Sequence, residues 1–147
     1  KQLKIFNSSE NLSLVATAKN KKIKNYKSGY IHFNKMLFHN LIPLSSVLIK
    51  SNIPYRFKNK YYAEDYELWL NMLYDNLSIF IINEVLCHDN NELYKNNLSD
   101  NYLPMTIEIQ KTLSKFYFKN KSNFYIFLAK VFELFKFMIR ILRIIKK

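Results

Sequence analysis

The sequence predicts an α/β fold: a few short strands alternating with helices, then a C-terminal amphipathic helical segment. Short apolar runs recur at 12–17, 44–50 and 78–82, each bounded by polar or turn residues. Longer stretches with apolar residues every three or four positions stand between and after them. The end of the chain, Phe124 to Lys147, has neither glycine nor proline. The 147 residues are 49% hydrophobic and 16% aromatic, enough to bury a core and too apolar for a disordered chain.

Leu12 to Thr17 reads as the first strand, and the Lys- and Asn-rich stretch 19–27 as a solvated loop. Tyr30 to Asn40 reads as a helix, with Ile31, Phe33, Met36, Leu37 and Phe38 supplying apolar surface and Pro43 interrupting it. Leu44 to Lys50 reads as a second strand with small residues at its start. Pro54 to Tyr61 is a basic loop carrying Arg56, Lys58 and Lys60. Tyr62 to Tyr74 is the clearest helix of the centre. Ser78 to Ile82 is a third strand, Asn83-Glu84 a turn, and Val85-Leu86 a continuation. Residues 89–101 read as a polar loop, 105–116 as a helix, and 119–123 as a polar break. Residues 1–101 therefore form the strand-bearing unit and 102–147 a helical tail. Alternating strands and helices argue for an α/β unit. Three strands are few, so an upstream segment is expected to complete the sheet.

Composition narrows the function. Gly29 is the one glycine, and phosphate-binding loops need several for tight turns and close backbone approach. A Walker-type NTPase and a Rossmann dinucleotide site are excluded. Cys87 is the one cysteine, so neither a disulfide framework nor a cysteine zinc site forms within the chain. A lone thiol suits the cytoplasm. The chain opens at Lys1 with no secretory signal pattern, which reads as a piece of a longer protein or a truncated reading frame. The formal net charge of +12 points to a polyanionic partner, nucleic acid or an anionic lipid surface.

The segment Ala63-Glu64-Asp65-Tyr66-Glu67-Leu68-Trp69-Leu70 carries the most chemistry. Leu68, Trp69, Met72 and Leu73 form the apolar stripe of a helix, and Asp65 lies one turn before it on the same side. Asp65 is expected on the inward edge near the helix start, with Glu64 and Glu67 pointing elsewhere. A carboxylate there has two uses. First-turn acids complement the macrodipole and bond free amides. A partly shielded Asp on a rigid helix also serves as a general base toward an attacking hydroxyl.

Three stretches in order carry a resemblance: Asn40-Leu41-Ile42-Pro43-Leu44-Ser45-Ser46-Val47-Leu48-Ile49-Lys50, Glu64-Asp65-Tyr66-Glu67-Leu68-Trp69-Leu70, and Phe80-Ile81-Ile82-Asn83-Glu84-Val85-Leu86. Together they resemble the second half of family 2 glycosyltransferases of the bacterial surface-polysaccharide type, over roughly Leu3 to Ser99. The resemblance implies a partial GT-A fold, the C-terminal half of its sheet with flanking helices. It implies inverting transfer of a sugar from a nucleotide donor to a glycan or lipid-linked acceptor. Asp65 would then be the catalytic base, and Glu64 would hold the acceptor or orient the site. Ser45 and Ser46 would line the sugar pocket from their strand. Trp69 would pack beneath it, but its place on the apolar stripe favours a core residue.

Two departures stand out. The family's Asp-x-Asp, which holds a divalent cation (Mg or Mn) against the donor diphosphate, occurs nowhere in this chain. That cation is expected only in a full-length enzyme, with no metal ligand and no cofactor in this fragment. The Tyr-Arg pair that often follows the later strand in that family is replaced by Leu86-Cys87-His88-Asp89-Asn90, where His88 would substitute weakly for the basic contact and more readily forms a surface pair with Asp89. His32 and His39, two helical turns apart, read as structural.

In the last segment Lys130, Glu133, Lys136, Arg140, Arg143 and Lys147 follow at steps of three or four, so they share one helix face. The rest is aromatic and aliphatic. A helix of this length spans about 36 Å, but a charge at nearly every turn argues against crossing the bilayer. An interfacial helix on an anionic membrane fits better, with cations toward the headgroups. Packing on the protein or on a second copy is the alternative. A lipid-linked acceptor, common in the resembled family, suits such an anchor. The protein is thus expected in the cytoplasm, peripheral on the inner face of the cell membrane. Nucleic acid is not expected, because the cations lie beside a lipid-like face rather than among aromatics in a groove. The alternatives to an active transferase part are a non-catalytic remnant of one and, more remotely, a basic nucleic-acid-binding module.

Overall fold

The computed structural model describes residues 1–24, 26–58, 62–88, 101–119 and 123–145. Among these the chain runs α1 (Gln2–Asn7), β1 (Leu12–Lys19), β2 (Gly29–Tyr30), α2 (Phe33–Phe38), a 3-10 turn (Leu44–Ser46), β3 (Leu48–Ile49), α3 (Glu64–Tyr74), β4 (Ser78–Cys87), α4 (Tyr102–Lys119) and α5 (Phe124–Ile145). The sheet is mixed, in the order β2-β4-β1-β3, and fits the α/β class. The central pair β1 and β4 is parallel, while β3 and β2 join antiparallel at the edges.

Side-chain alternation sets the layers. Leu14 and Ala16 of β1 and Ile79 and Ile81 of β4 face a core shared with α2 to α5. Val15 and Ile82 face the other way, onto Ile5 and Phe6 of α1. Covered on both faces, β1 is buried from Leu12 to Ala18, which is why it reads as an unbroken apolar run. α4 and α5, expected as part of a tail over 102–147, join the same core through Leu113, Phe116, Ile126 and Ala129.

Several elements differ from expectation. The helix expected over 30–40 shortens to α2, because Gly29–Tyr30 pairs with Phe80 and Ile81 as an edge strand. The strand expected over 44–50 becomes a 3-10 turn and a two-residue β3. Ser46 Oγ–H donates to Pro43 O at 2.9 Å, a local bond that competes with a strand ladder. The turn expected at Asn83-Glu84 is a bulge inside one continuous β4: Thr17 pairs with Ile82 and Ala18 with Val85, so two residues are extra. The bulge is used. Asn83 Oδ1 accepts from Ile23 N–H at 2.7 Å, and its Nδ2 donates to Ile23 O and Tyr26 O, tying the 20s loop to the sheet. α4 starts earlier than expected, with Pro104 in its first turn, where a missing N–H costs nothing.

In α5 the charged face, expected toward lipid headgroups, turns inward. Its polar face packs on the protein: Glu133 is buried, Lys130 donates to Ser114 Oγ at 2.9 Å, Lys136 reaches Phe38 O, and Arg140 lies over the Tyr102 ring at 5.4 Å. Phe124, Phe127, Leu128, Val131, Leu134, Phe135, Met138, Ile141, Leu142 and Ile145 all stand exposed on the outward arc, which carries no charge among the described residues. Lys147, placed on the charged face by spacing, lies outside the described residues. Among the described residues no helix is long and apolar enough to cross a membrane.

Candidate functional site

Asp65 is the second residue of α3. The helix starts abruptly after Ala63, which sits in the left-handed region at φ 52° and offers no side-chain cap. The free amides of the first turn thus call for an acceptor, and the Asp65 carboxylate provides one. Its Oδ1 accepts from Tyr66 N–H at 2.7 Å, and its Oδ2 from Asn40 Nδ2 at 3.1 Å. These bonds fix the group at the rim of a pocket of about 440 Å³. The end of α2 (Phe38, His39, Asn40), the head of α3 (Asp65, Tyr66), the start of α4 (Met105, Ile109) and the middle of α5 (Glu133, Lys136, Arg140) form its walls.

Charge in this pocket is balanced. Glu133 is only 4% exposed and ion-paired with Lys136, while Arg140 Nη1 stands 3.9 Å from Glu133 Oε1. Tyr66 O–H donates to Leu37 O at 2.9 Å. Its phenol is pushed above the usual 10, chiefly by burial and further by the Glu133 charge. The His39 imidazole is held below the usual 6.5, first by burial and then by Lys136, against a smaller pull from Glu133. His39 therefore stays neutral at pH 7. The donor set does not fit a divalent cation, since Asp65 and Glu133 share the pocket with two cationic side chains. Among the described residues no three His, Cys, Asp or Glu side chains group to hold a metal.

The expected site residues are only partly together. Glu64 opens α3, half-buried, and does not line this pocket. Ser45 is exposed and lies against the end of β4, where Cys87 Sγ approaches its carbonyl at 3.6 Å. Ser46 is buried and committed: it donates to Pro43 O and accepts from Thr17 N–H at 3.4 Å. Neither serine lines the Asp65 pocket, which lies under α5 rather than beside a serine strand. Trp69 is fully buried in the core, edge-on to Phe57, and does not line the Asp65 pocket. His88 is exposed, and Asp89 lies outside the described residues.

Glu67 also departs from expectation. Expected to point away, it is 2% exposed and takes ion pairs from Lys58 and Lys115. Sequence reasoning missed Asn40, Glu133, Lys136 and Arg140 as pocket residues. One signal was present: Glu133 is the sole acid between Phe124 and Lys147, set among cations one turn away.

The fold and pocket thus define a mixed α/β domain with a partly shielded carboxylate at a helix start, facing a charge-balanced hollow closed by an amphipathic helix. The sequence matches no protein-family model, and neither a curated protein nor a solved structure is significantly similar to it.

Proposed function

We propose that this chain is the acceptor-side part of an inverting glycosyltransferase of GT-A type, acting in surface-polysaccharide synthesis, with Asp65 as general base. The observation that carries the reading is the placement of Asp65, fixed by Asn40 and a backbone amide at the rim of the pocket under α5. A base needs a rigid carboxylate with lone pairs open to a ligand, and hydrogen-bond reach to the proton it takes. In the reaction Asp65 accepts the proton of an acceptor hydroxyl as the oxygen attacks the anomeric carbon. The bond from that carbon to the nucleoside diphosphate breaks with its electrons leaving on the phosphate. The donor and its cation belong to an Asp-x-Asp half, supplied by a longer chain or by a separate polypeptide. Asp65→Asn in the complete enzyme keeps shape and hydrogen bonding but removes the base. Turnover is expected to fall roughly 10²- to 10⁴-fold with an unchanged melting temperature. Near-normal kcat would remove Asp65 from the chemistry.

The second part of the reading is location: peripheral on an anionic membrane, at the inner face, with α5 lying flat beneath the domain. Its support is the uncharged arc of ten exposed apolar residues turned away from the protein. An apolar groove of about 650 Å³ between α4 and α5 extends the arc through Leu103, Ile107, Phe118 and Phe137, with Lys111 and Lys115 at its edge. Because Lys130, Lys136 and Arg140 turn inward, Lys115 pairs with Glu67 and Lys111 with Glu108, the exposed cations left for the headgroups would be Arg143 of α5 and Lys119 of α4. Each adds on the order of 1 kcal/mol at an anionic leaflet.

A further inference from the structure

The Asp65 pocket contains a group that the proposed transfer does not use. Glu133 is a carboxylate 4% exposed on the inner face of α5. One of its oxygens pairs with Lys136; the other, Oε1, is buried with no hydrogen-bond donor among the described residues. Arg140 at 3.9 Å is too far to donate to it. A buried carboxylate oxygen without a donor is costly, and a ligand hydroxyl entering the pocket removes that cost.

The surrounding charge selects the kind of ligand. Asp65 and Glu133 offset Lys136 and Arg140, and His39 is kept neutral. A phosphate or carboxylate entering here meets two carboxylates, and a cation meets two cationic side chains. A neutral molecule with several hydroxyls suits both signs, donating to Asp65 and Glu133 and accepting from Lys136 and Arg140. Phe38, Met105 and Ile109 supply apolar wall for the carbon face of such a molecule. The volume of about 440 Å³ lies within the range of small-ligand sites.

We propose that this pocket binds a neutral sugar unit, with Glu133 Oε1 accepting one of its hydroxyls opposite Asp65. The site deepens the transferase reading, in which that sugar is the acceptor, and it rests on that reading for this role alone. It makes Glu133 a determinant of which acceptor is taken, selecting against sugar phosphates and uronic acids.

The test is saturation-transfer NMR on the purified chain with N-acetylglucosamine, galactose and lactose as probes, against glucose 6-phosphate and glucuronate. At least one neutral probe is expected to bind at least tenfold more tightly than either charged one. Glu133→Gln should weaken neutral-sugar binding about tenfold or more. Met105→Trp, which fills the pocket from the opposite wall, should abolish binding with Glu133 intact, and it carries the test if Glu133→Gln unfolds. Failure of every neutral probe, tighter binding of a charged probe, or indifference to both Glu133→Gln and Met105→Trp overturns the proposal. The two readings separate cleanly. If the complete enzyme transfers sugar while Met105→Trp leaves the acceptor KM unchanged, the sugar site falls and the transferase stands. If the sugar binds as expected but Asp65→Asn turns over normally, the transferase falls and the site stands.

Discussion

Replacing Phe127, Leu134, Phe135 and Met138 together by Gln should detach the protein from anionic vesicles. These side chains are 51%, 51%, 57% and 61% exposed, so about half of each is free to enter a lipid phase. Full burial of such a side chain is worth about 1.5–3 kcal/mol, and half of that is about 1 kcal/mol each. The four sum to about 4 kcal/mol, or roughly a thousandfold in partition coefficient. Gln keeps the helix propensity of the replaced residues, and none of the four is buried in the core, so the melting temperature should hold. Flotation with vesicles containing phosphatidylglycerol measures the shift. An unchanged partition coefficient would refute the membrane seat. Phe124, Val131, Met138 and Ile145 recur every seven residues, with Phe127, Leu134 and Ile141 three positions on, a pattern that also suits a helix of a second copy. Light scattering decides: a dimer that the Gln variant dissolves, with no vesicle binding by either protein, would give the face to that second copy.

Glu67 anchors α3 from beneath. Lys58→Met or Lys115→Met alone should cost well under 1 kcal/mol, since the other ammonium stays and both lysines are more than half exposed. The double substitution removes two ammonium partners from a buried carboxylate and should cost more in urea unfolding than the two single changes added together; additive small effects would contradict this. His39 should titrate by NMR with a midpoint below 6.5. Because the folded chain then binds fewer protons than the unfolded one, stability falls as pH drops from about 6.5 toward the folded pKa and levels off below it. His39→Gln should flatten that part of the stability profile, and a midpoint at or above 6.5 would contradict the assignment.

Most of the fold was legible in the sequence where one local pattern decides the outcome. The runs at 12–17 and 78–82 are strands because a sheet covered on both faces demands continuous apolar sequence, and Leu68, Trp69, Met72 and Leu73 are buried as their spacing requires. The 44–50 segment failed because its side chains suit a strand, yet the Ser46 hydroxyl bonds back to Pro43 and curls the chain. Glu67 failed because its burial depends on Lys115, which lies 48 positions further along the chain. Of the candidate site, Asp65 was legible from first-turn chemistry and the helix stripe. The opposite wall was not. Periodicity divides α5 into a charged and an apolar face but does not say which one meets the domain. That choice is made by Ser114, Tyr102 and Phe38, residues distant in the sequence that receive Lys130, Arg140 and Lys136.

The seating of α5 has a practical corollary. A mean hydropathy of −0.20 describes an ordinary water-loving chain, yet the average conceals a greasy sole running the length of one helix. Left bare in dilute buffer, that sole meets water at a steep penalty, and clumping that worsens with concentration is the natural relief. The same rod is the roof of the hollow that holds Asp65. Detergent in the preparation would guard solubility, while the roof itself is held by Ile126 and Ala129 in the core.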